Sequence, residues 1–121
     1  MISDKIFNNS LEYIIQNIDD FGLFIGSHNE KSNLLSTELI KKYKVNSDDN
    51  RNWYSQLYGM SDNITFNLAK NGYNVAKILP FGPVENLVPY LIRRAQENSS
   101  FEGQSSRELS LLRKELLRRK A

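Results

Sequence analysis

Arg93 and Arg94 stand side by side in the stretch PYLIRRAQEN, residues 89 to 98, with Tyr90 one turn before them and Glu97 one turn after. Guanidinium groups are permanently charged and hold their donors in a planar fork, a shape that matches the two oxygens of a carboxylate or phosphate. On a helix, Tyr90, Arg93, Arg94 and Glu97 fall at i, i+3, i+4 and i+7 and share a face, whereas Leu87, Val88, Leu91, Ile92 and Ala95 form an apolar stripe expected to be buried. Two readings of the polar face stand side by side: a solvated helix surface, or a clamp on one small anion. Pro83 suits a first turn, while Pro89 withholds an interior donor and implies a kink or a helix that starts there.

A second group of polar residues falls where apolar runs end. GSHN (26 to 29), QLYGMSD (56 to 62) and PFGP (80 to 83) each follow a short apolar or aromatic run. Ser27, His28 and Asn29 offer donors and acceptors in a turn that opens a helix, which suits a phosphate or a ribose, and equally suits plain N-cap and turn duty. Gln56 and Tyr58 carry the same double reading, since a strand tyrosine commonly serves packing.

The elements that must position these groups alternate. LEYIIQNI carries a helical stripe, FGLFIG is a continuous apolar run of the kind a doubly buried strand needs, and NEKSNLLSTELIKKYKV returns to helical spacing. WYSQLYG reads as a second strand, SDNITFNLAKNG as a helix stopped by Gly72, and YNVAKILPFGP as a third strand. The order α, β, α, β, α, β, α, α predicts an α/β chain with right-handed crossovers and a parallel sheet. In such folds ligands bind at the carboxyl ends of strands, where the polar segments lie. Three parallel strands are a thin sheet with open edges, so an isolated piece is expected to self-associate or swap elements.

Composition closes several other readings. With no cysteine and a single histidine among 121 residues, neither a disulfide framework nor a zinc site is expected, and no metal-binding residues are assigned. No apolar run approaches the roughly 20 residues of a membrane span, and MISDKIFNNS lacks the basic and apolar regions of a secretion signal. Charge is uneven: residues from Arg107 onward carry +4, so the remainder carries −2. The basic tail suits either an anionic partner, nucleic acid included, or a terminal helix packed by Leu109, Leu112 and Leu116, with Ser105 and Glu108 in a capping-box pattern. Residues 1–104 and 105–121 are thereby expected to form a barrel-like part and a basic amphipathic helix packed on it.

SHNEKS, QLYGMSDNITFNLAKNGYNVAK, PFGPV, PYLIRRAQENSS and SRELSLLRKELLRRK together resemble the carboxyl-terminal portion of the proline dehydrogenase family, over essentially the whole chain. That resemblance implies a partial (βα)8 barrel, whose three parallel strands are equivalent to strands 6 to 8, with flanking helices and a C-terminal helix. It implies oxidation of L-proline to 1-pyrroline-5-carboxylate with FAD as cofactor, and a membrane quinone as the eventual electron acceptor. Arg93 and Arg94 would clamp the proline carboxylate, Tyr90 and Leu57 would wall the ring, and Ser27, His28, Asn29, Gln56 and Glu97 would contact FAD. The family's catalytic lysine, aspartate and flavin-facing arginine lie on earlier strands, so no catalytic residue is assigned here, and the 121 residues alone are expected to be inactive and to retain no FAD. Ile78 stands where the family usually has a tyrosine, which would replace a ring over the substrate with an aliphatic wall. The implied location is peripheral to a bacterial membrane from the cytoplasm, or the mitochondrial inner membrane in a eukaryote. The alternative from a different class is a small noncatalytic module that binds an anion or nucleic acid through the basic tail, a partner that the resemblance makes unexpected.

Overall fold

The computed structural model describes residues 1–100 and 104–121, with side chains described outside 98–105. Eight elements follow in the anticipated order: α1 (Ile2–Gln16), β1 (Leu23–Gly26), α2 (Glu30–Lys42), β2 (Asn52–Leu57), α3 (Asp62–Lys70), β3 (Val75–Ile78), α4 (Val84–Ser100) and α5 (Gln104–Lys120). The strands pair in parallel in the order β1-β2-β3, with Ile25 opposite Tyr54 and Tyr54 opposite Val75. The chain divides into two compact units, Met1–Ile78 and Leu79–Ala121.

In the first unit, side-chain alternation places Leu23, Ile25 and Tyr54 on one sheet face, where they pack with Leu11 and Ile15 of α1, Leu39 and Ile40 of α2, and Ile64 and Leu68 of α3. Tyr54 is wholly buried, edge-on to Tyr73 at 5.6 Å between ring centroids, with its hydroxyl 2.8 Å from Ser36 Oγ. The opposite face shows Phe24, Trp53 and Ile78 exposed. FGLFIG is therefore not a doubly buried strand: β1 alternates buried and exposed, because its helices cover one face. A run of apolar residues reports that both faces could be covered, without saying which one is.

Two helices in this unit end in the same way. Gly72 lies in the left-handed region at the end of α3, its N–H bonded to Ala69 O and that of Tyr73 to Leu68 O, a Schellman closure that seats Tyr73 near Leu68 in the core. At the end of α2 the same pair of bonds runs from Lys44 to Lys41 O and from Val45 to Ile40 O, but Lys44 adopts φ 56° without glycine's freedom. Helix α1 starts nine residues before the stripe beginning at Leu11, with Asp4 in its first turn, where a carboxylate suits the helix dipole.

In the second unit α4 begins at Val84 and runs through Pro89, so the helix starts five residues earlier than that proline. The stripe expected to be buried is largely open: Val88, Leu91 and Ile92 are exposed and Leu87 is half-buried. Within its unit α4 packs against α5, whose Leu109, Leu112 and Leu116 are themselves exposed. An apolar stripe is covered only where a partner surface lies against it, and spacing alone does not supply one. The Ser105 side chain of the expected capping box lies outside the described residues.

Candidate functional site

At the carboxyl end of β1 the chain turns through Ser27, His28 and Asn29 into α2. Asn29 is the N-cap: its Oδ1 accepts from the N–H groups of Lys31 (3.0 Å) and Ser32 (3.3 Å). Ser27 Oγ accepts from Asn29 N–H at 3.1 Å, and the carbonyl of Ser27 receives the side-chain amides of Asn33 (3.0 Å) and Gln56 (3.2 Å). Gln56 is almost wholly buried in β2, and its Oε1 accepts from Thr65 Oγ1 of α3 at 2.9 Å. His28 spans the same gap, with Nε2 3.2 Å from Leu57 N and Nδ1 2.8 Å from Ser61 Oγ. The structure thus brings Ser27, His28, Asn29, Gln56 and Leu57 together, knitting the end of β1 to the end of β2.

Two further residues belong to this cluster and were not singled out from sequence. Ser61, 2% exposed, precedes α3 in the left-handed conformation (φ 51°), and its hydroxyl does not cap the helix but meets His28. Lys77 of β3 reaches the other side of the same loop, placing Nζ 2.6 Å from Met60 O and 2.7 Å from Asp62 Oδ1. The signal available for Lys77 was a charged residue inside the apolar strand VAKI, which demands a partner because a half-buried ammonium without one is costly. Ser61 gave a weaker one, since a serine ahead of a helix reads as a cap.

The second set lies on α4. Arg94 stacks over Tyr90, its guanidinium carbon 5.1 Å from the ring centroid, and its NH1 lies 3.1 Å from Glu97 Oε2. These contacts follow from the i−4 and i+3 spacing. Arg94 Nε is buried and has no acceptor among the described residues. Such a donor is costly to leave unmet, and a carboxylate brought to the guanidinium edge would satisfy it. Arg93 is exposed and stands apart from the Tyr90–Arg94–Glu97 contacts. Chemically the face can hold an anion through Arg94 and Arg93, with Tyr90 stiffening one guanidinium and Glu97 drawing on part of its charge.

Comparison with known proteins adds a family to this geometry. The sequence model described as proline dehydrogenase matches residues 2–107. Proline dehydrogenase 1, mitochondrial, of Dictyostelium discoideum is 43% identical over 95% of the chain and 21% of the relative. Hydroxyproline dehydrogenase of Xenopus laevis is 40% identical over 95% of the chain and 25% of the relative. The carbapenem antibiotics biosynthesis protein CarD of Pectobacterium carotovorum subsp. carotovorum is 38% identical over 97% of the chain and 30% of the relative. The chain therefore spans less than a third of the length of these relatives.

Proposed function

Because the chain belongs to the proline dehydrogenase family, we propose that its residues serve as the carboxyl-terminal portion of an FAD-dependent enzyme that oxidises L-proline to 1-pyrroline-5-carboxylate. Arg93 and Arg94 bind the substrate carboxylate, and Leu57 and Tyr90 give it apolar walls. The observation that carries the reading is the Nε of Arg94, a buried cationic donor that lacks an acceptor among the described residues beside a charged partner already in place. Fixing the carboxylate fixes which ring carbon is presented for oxidation, and alignment of this kind is a large part of catalysis.

The residues present fit a flavin in kind. An apolar, partly aromatic sheet face with Phe24, Trp53 and Ile78 open accompanies a turn rich in hydroxyl, imidazole and amide groups. FAD, when bound, supplies the hydride acceptor. Ser27 and His28, both half-buried, are the contacts this chain offers it, His28 through its ring since both nitrogens meet Leu57 and Ser61, with Asn29 and Glu97 at exposed positions. Gln56 acts one step removed, because its buried amide already bridges Ser27 O and Thr65. Passage of electrons to a membrane quinone and a mitochondrial or membrane-peripheral location belong to the same reading, supported by mitochondrial relatives.

Steady-state kinetics of the dehydrogenase carrying these residues test the clamp. Arg94→Met should raise KM for proline by about one to two decades with flavin content unchanged, since a charged hydrogen bond is worth roughly 1.5–3 kcal/mol. Arg93→Met should behave similarly, and lysine at either position should rescue poorly because a point charge lacks the planar fork. Parental KM values in both methionine variants would return the pair to a solvated face.

A further inference from the structure

The contacts of His28 define where its proton sits. Nε2 faces the backbone N–H of Leu57, a group that can only donate, so Nε2 must be bare and the imidazole neutral with its proton on Nδ1. Nδ1–H then donates to Ser61 Oγ, 2.8 Å away. A free neutral imidazole prefers the opposite tautomer, so two specific contacts select this one. The acceptor is itself unusual: a buried serine at an N-cap position whose hydroxyl is turned from the helix toward the imidazole, on a left-handed backbone that is strained for any residue but glycine. Lys77 pins the same loop through Met60 O and Asp62.

We infer that His28 is a positioning residue, locked as the Nδ1–H tautomer by Ser61, that fixes the end of β2 and with it Leu57 relative to the Ser27–Asn29 turn. The functional part rests on the reading of Leu57 as a wall of the proline site. Ser27 and Asn29 hold the turn from within, through Asn29 N–H and the cap of α2. Gln56 ties the end of β2 to the carbonyl of Ser27, and His28 adds the link from the turn to the backbone N–H of Leu57, so a flavin-contacting turn and a substrate wall share one imidazole.

His28 is the only histidine in the chain, so imidazole nitrogen-15 signals need no assignment. The 121-residue protein above neutral pH is expected to show a pyrrole-type Nδ1 and a pyridine-type Nε2. Ser61→Gly, which takes a left-handed backbone without strain, and Ser61→Ala should both lose that pattern, with a shift of the Leu57 amide. A bare Nδ1 in the parent, or the parental pattern retained in both variants, overturns the inference. In the flavin-loaded dehydrogenase, Ser61→Gly should raise KM for proline roughly two- to tenfold, the weight of one hydrogen bond, with kcat near the parent's. An unchanged KM with the tautomer pattern lost removes the positioning role. Failure of the arginine clamp would be read in the arginine variants and leave the imidazole signals untouched, so the two readings fail separately.

Discussion

The strand-end cluster and the arginine face of α4 treat their polar groups in opposite ways. Around β1 and β2, Asn29, Gln56 and His28 spend their hydrogen-bonding capacity on the chain itself, bridging turn, strand and helix. On α4, Arg94 has a buried donor unmet among the described residues and Arg93 stands exposed. Polar groups bonded within the fold hold a site's shape; Asn33 Oδ1 and Ser55 Oγ there also lack a partner among the described residues, but both are neutral, whereas the unmet donor of Arg94 is cationic and costlier to leave without an acceptor. The first region therefore reads as scaffold around a turn, and the second is the face to which the proposed function gives the substrate.

If that division holds, substitutions in the first region should cost stability and those on α4 should cost binding. Tyr54→Ala should lose about 3–5 kcal/mol in urea unfolding, the usual cost of emptying a large aromatic site, while Arg94→Met shifts stability by less than about 0.5 kcal/mol. Burial pushes the Tyr54 hydroxyl up to about 12, so the fold favours its neutral form. That contribution is complete below the unfolded value of about 10 and is lost as pH rises toward 12, about 2–3 kcal/mol in all, and Tyr54→Phe should flatten this alkaline limb. Gln56→Ala should cost about 1–3 kcal/mol by the same unfolding measurement. Lys44→Gly offers a control for strain outside any site: relief of its left-handed backbone, offset by freedom gained in the unfolded chain, should add about 0.5 kcal/mol and leave proline kinetics alone. Arg118→Met should do almost nothing to either, since Arg118 is 73% exposed and its pair with Glu115 lies in water. Any of these reversed, above all a destabilised Arg94→Met, would blur the division.

The succession of helices and strands was legible because periodicity, Gly72 and the polar turns all point the same way. The extra turns of α1 were not, since Ile2, Ile6 and Phe7 are exposed and form no stripe that burial would enforce. Coverage was not legible either: FGLFIG and the α4 stripe are apolar enough to be buried, and which faces find partners is decided by elements far away in the chain. In the site, the i, i+3, i+4, i+7 spacing placed Tyr90, Arg93, Arg94 and Glu97 on one face, and the structure adds the contacts of Arg94 with Tyr90 and Glu97. The bond between His28 and Ser61 joins residues 33 apart, and its meaning depends on a left-handed backbone at a serine, which no local pattern announces.

The most direct test of the division is to watch the arginine side chains while substrate binds. Titrating L-proline into the flavin-loaded dehydrogenase should move the Nε–H nuclear magnetic resonance signal of Arg94 saturably, with Arg118 unmoved and prolinamide, which lacks the carboxylate, giving no such shift. An Arg94 signal that stays still while proline is bound and oxidised would contradict the account.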